Sequence, residues 1–369
     1  MTAEVIQNTH GKEHMKILIL SADREMYSAA AALYESSRER GAACEIRRLS
    51  SFYTPSGSRY KELVSRTKAA LSSVYPSYDP MDRAIADRLC EYIESEGFDC
   101  VVAADARAAK TASAVRKRFT GMPKFYGLLT DAGAVQGISG EGLDGFFIPH
   151  RDMADKLRAK GIEGEFYPTG MPVEKDFFRR FTKKAARNYL AIDENTRVYM
   201  LLSQGIGYEE IRDVCDEMLK VEKEGFLFFV FVDRGCEKGE LLRKRYQDNR
   251  CVQIITVNKR MDVYMESADV ILTRPEGYEN FEAAAAGVPL VHLMTVRGPA
   301  ATAEFFSSQE MSMLGNTVSD AVRKARRLID EKALSRRMIR RQSMFVGLDA
   351  ADKILDEMIS NNAKTRKVL

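Results

Sequence analysis

The chain has no C-x-x-C pair, no apolar run long enough to cross a bilayer, no D-x-D at a predicted strand end, and no large net charge. Each absence excludes something. Its six cysteines, Cys44, Cys90, Cys100, Cys215, Cys236 and Cys251, are scattered, which fits reduced thiols in small core positions and argues against a disulfide or zinc framework. Even Phe226-Leu227-Phe228-Phe229-Val230-Phe231-Val232 is cut off by Asp233, far short of the roughly 20 residues of a spanning helix. The net charge of +3 gives no reason to expect a nucleic-acid partner. With four histidines and no ligand spacing, no metal site is expected. Met1 to Lys16 is polar and Ile17 to Leu20 is only strand length, so no signal peptide is expected and a cytoplasmic location is.

What is present is an alternation of strand-like and helix-like segments. At 369 residues the chain exceeds one ordinary core, and two domains of roughly 150 to 200 residues are expected. Strands are predicted at Lys16–Leu20, Cys44–Leu49, Cys100–Ala104, Lys124–Thr130 and Gly145–Pro149, with helices at Tyr27–Arg40 and about Met81–Glu96 stopped by Gly41 and Gly97, as left-handed C-caps require. The pattern restarts after Gly170-Met171-Pro172-Val173, with strands predicted at Arg197–Ser203, Phe226–Asp233, Cys251–Val257, Ala268–Thr273 and Pro289–Leu293. Two Rossmann-like, doubly wound α/β domains follow, 15–170 and 171–347, facing a central cleft because ligands of open parallel sheets sit beyond the carboxyl ends of the strands. Leu348–Ile359 reads as an amphipathic helix heading the final segment, 348–369.

The most informative stretch is Thr273-Arg274-Pro275-Glu276-Gly277-Tyr278-Glu279-Asn280-Phe281-Glu282-Ala283, between two buried-looking strands. Strand, Gly-containing turn and helix with an acid near its start make a nucleotide-site arrangement. It resembles the donor segment of GT-B glycosyltransferases, especially the family of monogalactosyldiacylglycerol synthase and processive diacylglycerol glucosyltransferase (family 28-like), written T-K-P-G-G-x-T-x-x-E-A. Here Arg274 stands for the Lys, Glu276 for the first Gly and Glu279 for the Thr. Further segments match in order: Ser21-Ala22 with Ala29 to Leu33, Thr130-Asp131, Gly161-Ile162, Gly170 to Val173, and Ser203-Gln204-Gly205-Ile206-Gly207. The resemblance runs from about Met15 to about Leu328.

There are two departures. The family's first loop ends in a His that serves as the candidate base; this chain has Asp23-Arg24-Glu25-Met26-Tyr27-Ser28. Where the family has P-G-Q-E-x-x-N for the donor sugar, this chain has Arg297-Gly298-Pro299-Ala300-Ala301-Thr302-Ala303-Glu304.

Read on the residues, Glu282 is a carboxylate suited to a ribose diol, or a first-turn residue favoured by the helix dipole. Gly205 and Gly207 permit close backbone approach to a diphosphate, or simply form a turn. Gly277 has a turn explanation as well, and Arg274 adds charge to the site if it points inward. The carboxylates available as base are Asp131, preferred, and Asp23, with Glu25 beside it. His292 is expected as a satisfied core imidazole, and His150 at a strand end facing the cleft. Phe52, Tyr53, Tyr60, Lys61, Arg66 and Lys68 interleave aromatic and basic side chains in a way that suits lipid headgroups, or packs as ordinary helices.

The resemblance implies a metal-independent hexosyltransferase without cofactor, which moves sugar from a UDP-sugar to a lipid acceptor such as diacylglycerol at an anionic membrane surface. It also implies a last helix that returns to the first domain. The missing His and Gln-Glu motifs point to an alternative, a catalytically degenerate nucleotide-binding or regulatory protein. A sugar-nucleotide epimerase is a third class. Oligomeric state is left open.

Overall fold

The computed structural model describes residues 15–22, 27–52, 80–129, 142–178, 181–257, 260–296 and 300–366. The first half runs β1 (Lys16–Ser21), α1 (Tyr27–Glu39), β2 (Ala43–Arg48), α2 (Pro80–Glu96), β3 (Cys100–Ala103), α3 (Ala106–Arg116), β4 (Lys124–Leu128), β5 (Gly145–Phe147), α4 (Asp152–Ala159) and β6 (Glu165–Tyr167). Its six strands are parallel in the order β2-β1-β3-β4-β5-β6. As expected, Gly41 and Gly97 end α1 and α2 with φ of 77° and 64°, values at which a Cβ is strained.

The second half runs α5 (Lys183–Tyr189), β7 (Arg197–Leu202), α6 (Tyr208–Val221), β8 (Phe226–Val232), α7 (Glu237–Tyr246), β9 (Val252–Thr256), α8 (Met261–Ser267), β10 (Val270–Thr273), α9 (Glu279–Ala285), β11 (Leu290–Leu293), α10 (Ala301–Ser308) and β12 (Met313–Gly315). It closes with α11 (Val318–Asp330), α12 (Lys332–Phe345) and α13 (Ala350–Arg366). These strands are also parallel, in the order β12-β11-β10-β7-β8-β9. The chain therefore contains two doubly wound parallel sheets. β7 and β8 are apolar almost throughout because helices cover both faces of a parallel sheet. Burying a side chain such as Phe228 or Phe231 stabilises the sheet by about 1.5–3 kcal/mol.

Two three-residue strands, β6 and β12, escaped the sequence reading. Both lie at sheet edges and are too short to carry a period.

The crossing segment Gly170–Val173 is buried at Met171 and Val173, in a cluster that also holds Ile354, Leu355 and Met358 of α13. That helix packs on α1. Ser36 Oγ donates to Asp352 at 2.5 Å, Arg40 pairs with Asp356 at 2.5 Å, and Asn361 donates to the Tyr167 hydroxyl at 2.8 Å.

No helix among the described residues is long and apolar enough to cross a membrane. Among the doubled arginines of α11 and α12, Arg326 reaches Glu222 and Asp330, Arg327 pairs with Glu331, and Arg337 with Glu310.

Candidate nucleotide site

Strand order fixes where a ligand can sit. In the second sheet the winding direction reverses between β10 and β7, so the loops that follow these two strands lie side by side at a topological switch point, the usual ligand position of open α/β sheets. The loop after β7 is Ser203–Gly207 and the loop after β10 is Arg274–Tyr278. They touch: Gly205 has φ +71°, and a Cβ there would collide with the Arg274 guanidinium. Gly207 caps the start of α6 in extended conformation and lies against the Glu210 carboxylate. The two segments matched by separate motifs are thus one surface.

Within it the polar groups are already engaged. Arg274 Nε donates to Glu279 Oε1 at 3.0 Å, with both side chains largely buried. The Glu279 carboxylate folds back over Gly277, whose φ is +124° and where a Cβ would collide with it. Arg274 is therefore not a bare cation facing an anion site. The residue standing for the family's Thr supplies a carboxylate that neutralises it.

One turn further along α9, Glu282 is half-buried, and burial pushes its pKa up to about 8, with Glu279 and Glu174 adding repulsion and Ser28 opposing the rise. Ser28 comes from α1 of the first half, and its hydroxyl is buried without a well-formed hydrogen bond. Glu174, from the crossing segment, is raised by the same burial and by Glu35 and Asp176. Glu282 thus sits where the two halves meet, facing groups from both. Beneath it the Tyr278 hydroxyl is buried with no partner.

His292 is the core imidazole expected. It is fully buried between Asn280 Oδ1 at 3.0 Å and the Ser312 hydroxyl at 3.1 Å, and burial lowers its pKa to about 3. Because Asn280 lies on α9 and His292 on β11, this pair locks α9 to the sheet.

The first sheet has its own switch point, between β1 and β3. There Asp105 accepts from Ser21 Oγ at 3.2 Å, the Ala22 N–H at 2.6 Å and, as N-cap of α3, the Ala108 N–H at 2.8 Å. Sequence reading missed Asp105. A lone acid after a strand and before a helix is a capping signal, and only the fold brings it to the first β–α turn.

Asp131 and Asp23 lie outside the described residues, as do Tyr53, Tyr60, Lys61, Arg66 and Lys68. Phe52, expected on a lipid-facing surface, is instead buried in the first core, its ring 5.5 Å from that of Tyr92. An isolated Phe after a short helical turn gains more from that core than from water. Among the described residues there is no group of acidic, His or Cys side chains that could hold a metal ion.

No protein-family model matches the chain. A processive diacylglycerol β-glucosyltransferase of Staphylococcus carnosus is 23% identical over 193 residues, 52% of this chain and 49% of that protein. The chain spans about half the length of the first such curated relatives. Solved structures align over nearly everything. The MurG structure of Acinetobacter baumannii has TM-score 0.58 at 12% identity, covering 94% of this chain and 99% of its own. The UDP-GlcNAc 2-epimerase of Neisseria meningitidis bound to UDP-GlcNAc has TM-score 0.61 at 16% identity, covering 94% and 100%. The Staphylococcus aureus MnaA–UDP co-structure has TM-score 0.67 at 14% identity, covering 92% and 95%.

The chain has the GT-B fold. Its sequence relatives carry the name of the glycolipid synthases whose donor segment Thr273–Ala283 resembles.

Proposed function

We propose that this GT-B protein is a glycosyltransferase that moves a hexosyl group from a UDP-sugar to a lipid acceptor such as diacylglycerol. The observation that carries the reading is the meeting of the Gly205 and Gly277 loops at the β7/β10 switch point, with Glu282 one turn into the following helix. Residues 171–347 bind the donor in this reading: Glu282 takes the ribose, and Gly205 and Gly207 lie near the diphosphate. Residues 15–170 present the acceptor, whose hydroxyl attacks the anomeric carbon as the diphosphate departs. Asp131, or failing that Asp23, takes the hydroxyl proton; such assistance is worth a factor of about 10² to 10⁴. Backbone amides and Arg274 receive the leaving diphosphate without a metal ion.

The membrane contact falls to Tyr53, Tyr60, Lys61, Arg66 and Lys68, each basic residue contributing about 1 kcal/mol at an anionic surface. Binding of that kind is reversible and salt-sensitive, and sedimentation with anionic vesicles at low and high salt tests it.

The decisive experiment is calorimetric titration with UDP and UDP-glucose, followed by a transfer assay on diacylglycerol vesicles. Tight UDP binding that Glu282→Ala abolishes, with glucosyl lipid formed by the parent, is expected. Equal UDP binding by the variant removes Glu282 from its role. One observation favours a second reading, a nucleotide-binding protein without transfer: Glu279 already neutralises Arg274, the one charged side chain of the donor frame suited to a leaving diphosphate. UDP binding with no transfer to any lipid selects it.

A further inference from the structure

At the opposite end of the second sheet from the Gly205 and Gly277 loops, a cavity of about 560 Å³ opens between the start of α5 and α12. Asp269 and Pro289, the residues just before β10 and β11, line it, so it faces the amino ends of these strands. Its walls are of two kinds. Val288, Leu328 and Ile329, all buried, and Ile339 present hydrocarbon, while Lys183, Lys332 and Arg336 present cations. Lys332 and Arg336 stand one turn apart on one face of α12, and neither is paired with an acid among the described residues. Like charges at that spacing repel. The first turn of α12 holds no acid, and Lys332 opens the helix at the end where the backbone dipole also disfavours a cation.

The acids that line the cavity are already engaged. Asp269 is shared by Lys183 at 2.8 Å and Arg187 at 2.7 Å, and also accepts from the Val198 N–H at 2.9 Å. Glu266 is turned to the Phe181 N–H at 3.0 Å. Burial holds the Lys183 pKa below its ordinary 10.5, with Arg187 and Lys332 adding repulsion against the pull of Asp269. Cations therefore exceed carboxylates around a concave, partly apolar space.

We propose that this cavity binds an organic phosphate, with a phosphate monoester group among Lys183, Lys332 and Arg336 and an apolar body against Val288, Leu328 and Ile339. The Arg336 guanidinium offers parallel N–H donors to phosphate oxygens, and the lysines add point charges. A neutral apolar molecule would strip these cations of water and return nothing. A metal ion would be repelled by them, and inorganic phosphate would leave the hydrocarbon wall wet. The volume lies within the roughly 300–1,000 Å³ of small-molecule sites, so the ester's body fits as well as its phosphate. α9 runs from the nucleotide site at Glu279 to this cavity at Ala286 and Gly287, about 10 Å along its axis. The two sites are separate, and this one does not depend on glycosyl transfer.

The probe is phenyl phosphate, titrated calorimetrically into the full chain. It should bind about tenfold more tightly than inorganic phosphate, because its ring leaves water. A Lys332→Gln, Arg336→Gln double variant should bind it about tenfold more weakly or worse. That variant should melt no lower than the parent, because both side chains are exposed and repel each other. Gly205→Ala, altered in the nucleotide loop, should bind phenyl phosphate as the parent does. No binding by the parent, equal affinity for inorganic phosphate, or unchanged binding in the double variant overturns the proposal. So does a loss of binding in Gly205→Ala alone, which would place the phosphate in the nucleotide site.

Discussion

The Arg274 guanidinium donates to Glu279 at 3.0 Å and at the same time covers Gly205. The protein's own carboxylate therefore stands where the bound diphosphate of the proposed donor would seek positive charge. Glu279→Gln keeps the shape and removes the charge. UDP affinity should rise about tenfold, the worth of one hydrogen bond to a charged group. Stability should fall by about 2 kcal/mol, because a largely buried Arg loses its counter-ion. Calorimetry and thermal denaturation read both. Weaker UDP binding in the variant would mean that the pair holds the loop in its competent shape.

Gly205→Ala should act in the opposite direction on binding. Its positive φ strains any Cβ, and the added methyl group displaces Arg274. A loss of about 1 kcal/mol in stability and a clear drop in UDP affinity are expected. An unchanged affinity would show that the diphosphate does not approach this loop.

Glu282 makes stability depend on pH in a definite sense. Its pKa of about 8 in the folded protein lies above the ordinary 4.5, so the folded chain holds a proton that the unfolded chain releases. The contribution is fully present below about pH 4.5 and is lost as pH rises to about 8. Glu174 acts in the same direction. Denaturant melts across this range should show Glu282→Gln with a flatter alkaline limb than the parent. Parallel curves would mean that Glu282 ionises freely.

His292 acts at the other end. With a folded pKa of about 3 against the usual 6.5, it costs stability as pH falls from 6.5 toward 3, because only the unfolded chain takes up the proton. His292→Ala should remove that acid limb and also cost about 2–4 kcal/mol, since Asn280 and Ser312 lose their partner in a filled core. A melting temperature within a degree of the parent would show that the pair does not hold α9.

Much of the architecture was legible because β7, β8 and β10 are continuous apolar runs flanked by glycine stops, signals that need no knowledge of the fold. The strand, turn and helix from Thr273 to Ala283 were legible for a similar reason: the segment is contiguous. What could not be read is everything that depends on two segments meeting. Nothing in the spacing of Arg274 and Glu279 distinguishes an inward pair from two solvated charges. Asp105 is separated from Ser21 and Ala22 by α1, β2, α2 and β3. Thr302 was read only within the departure from the family motif at Arg297–Glu304, and nothing in the sequence brings Met153 and Lys156 of α4 to the same cavity as Thr302. Phe52 was grouped with a polar, aromatic neighbourhood when its own apolar ring had a core to enter.

The return of α13 to α1 has a mechanical consequence. The chain passes between its halves twice, first through Gly170 and later between Phe345 and Ala350, and the two passages touch: a Cβ on Gly170 would be 3.3 Å from that of Ala350. Two attachments placed far apart would lock the halves together, and a single one would let them wander. Two in contact define a pivot, so the mouth opposite it can swing open through small torsional changes at a few residues while sideways sliding and twisting are resisted.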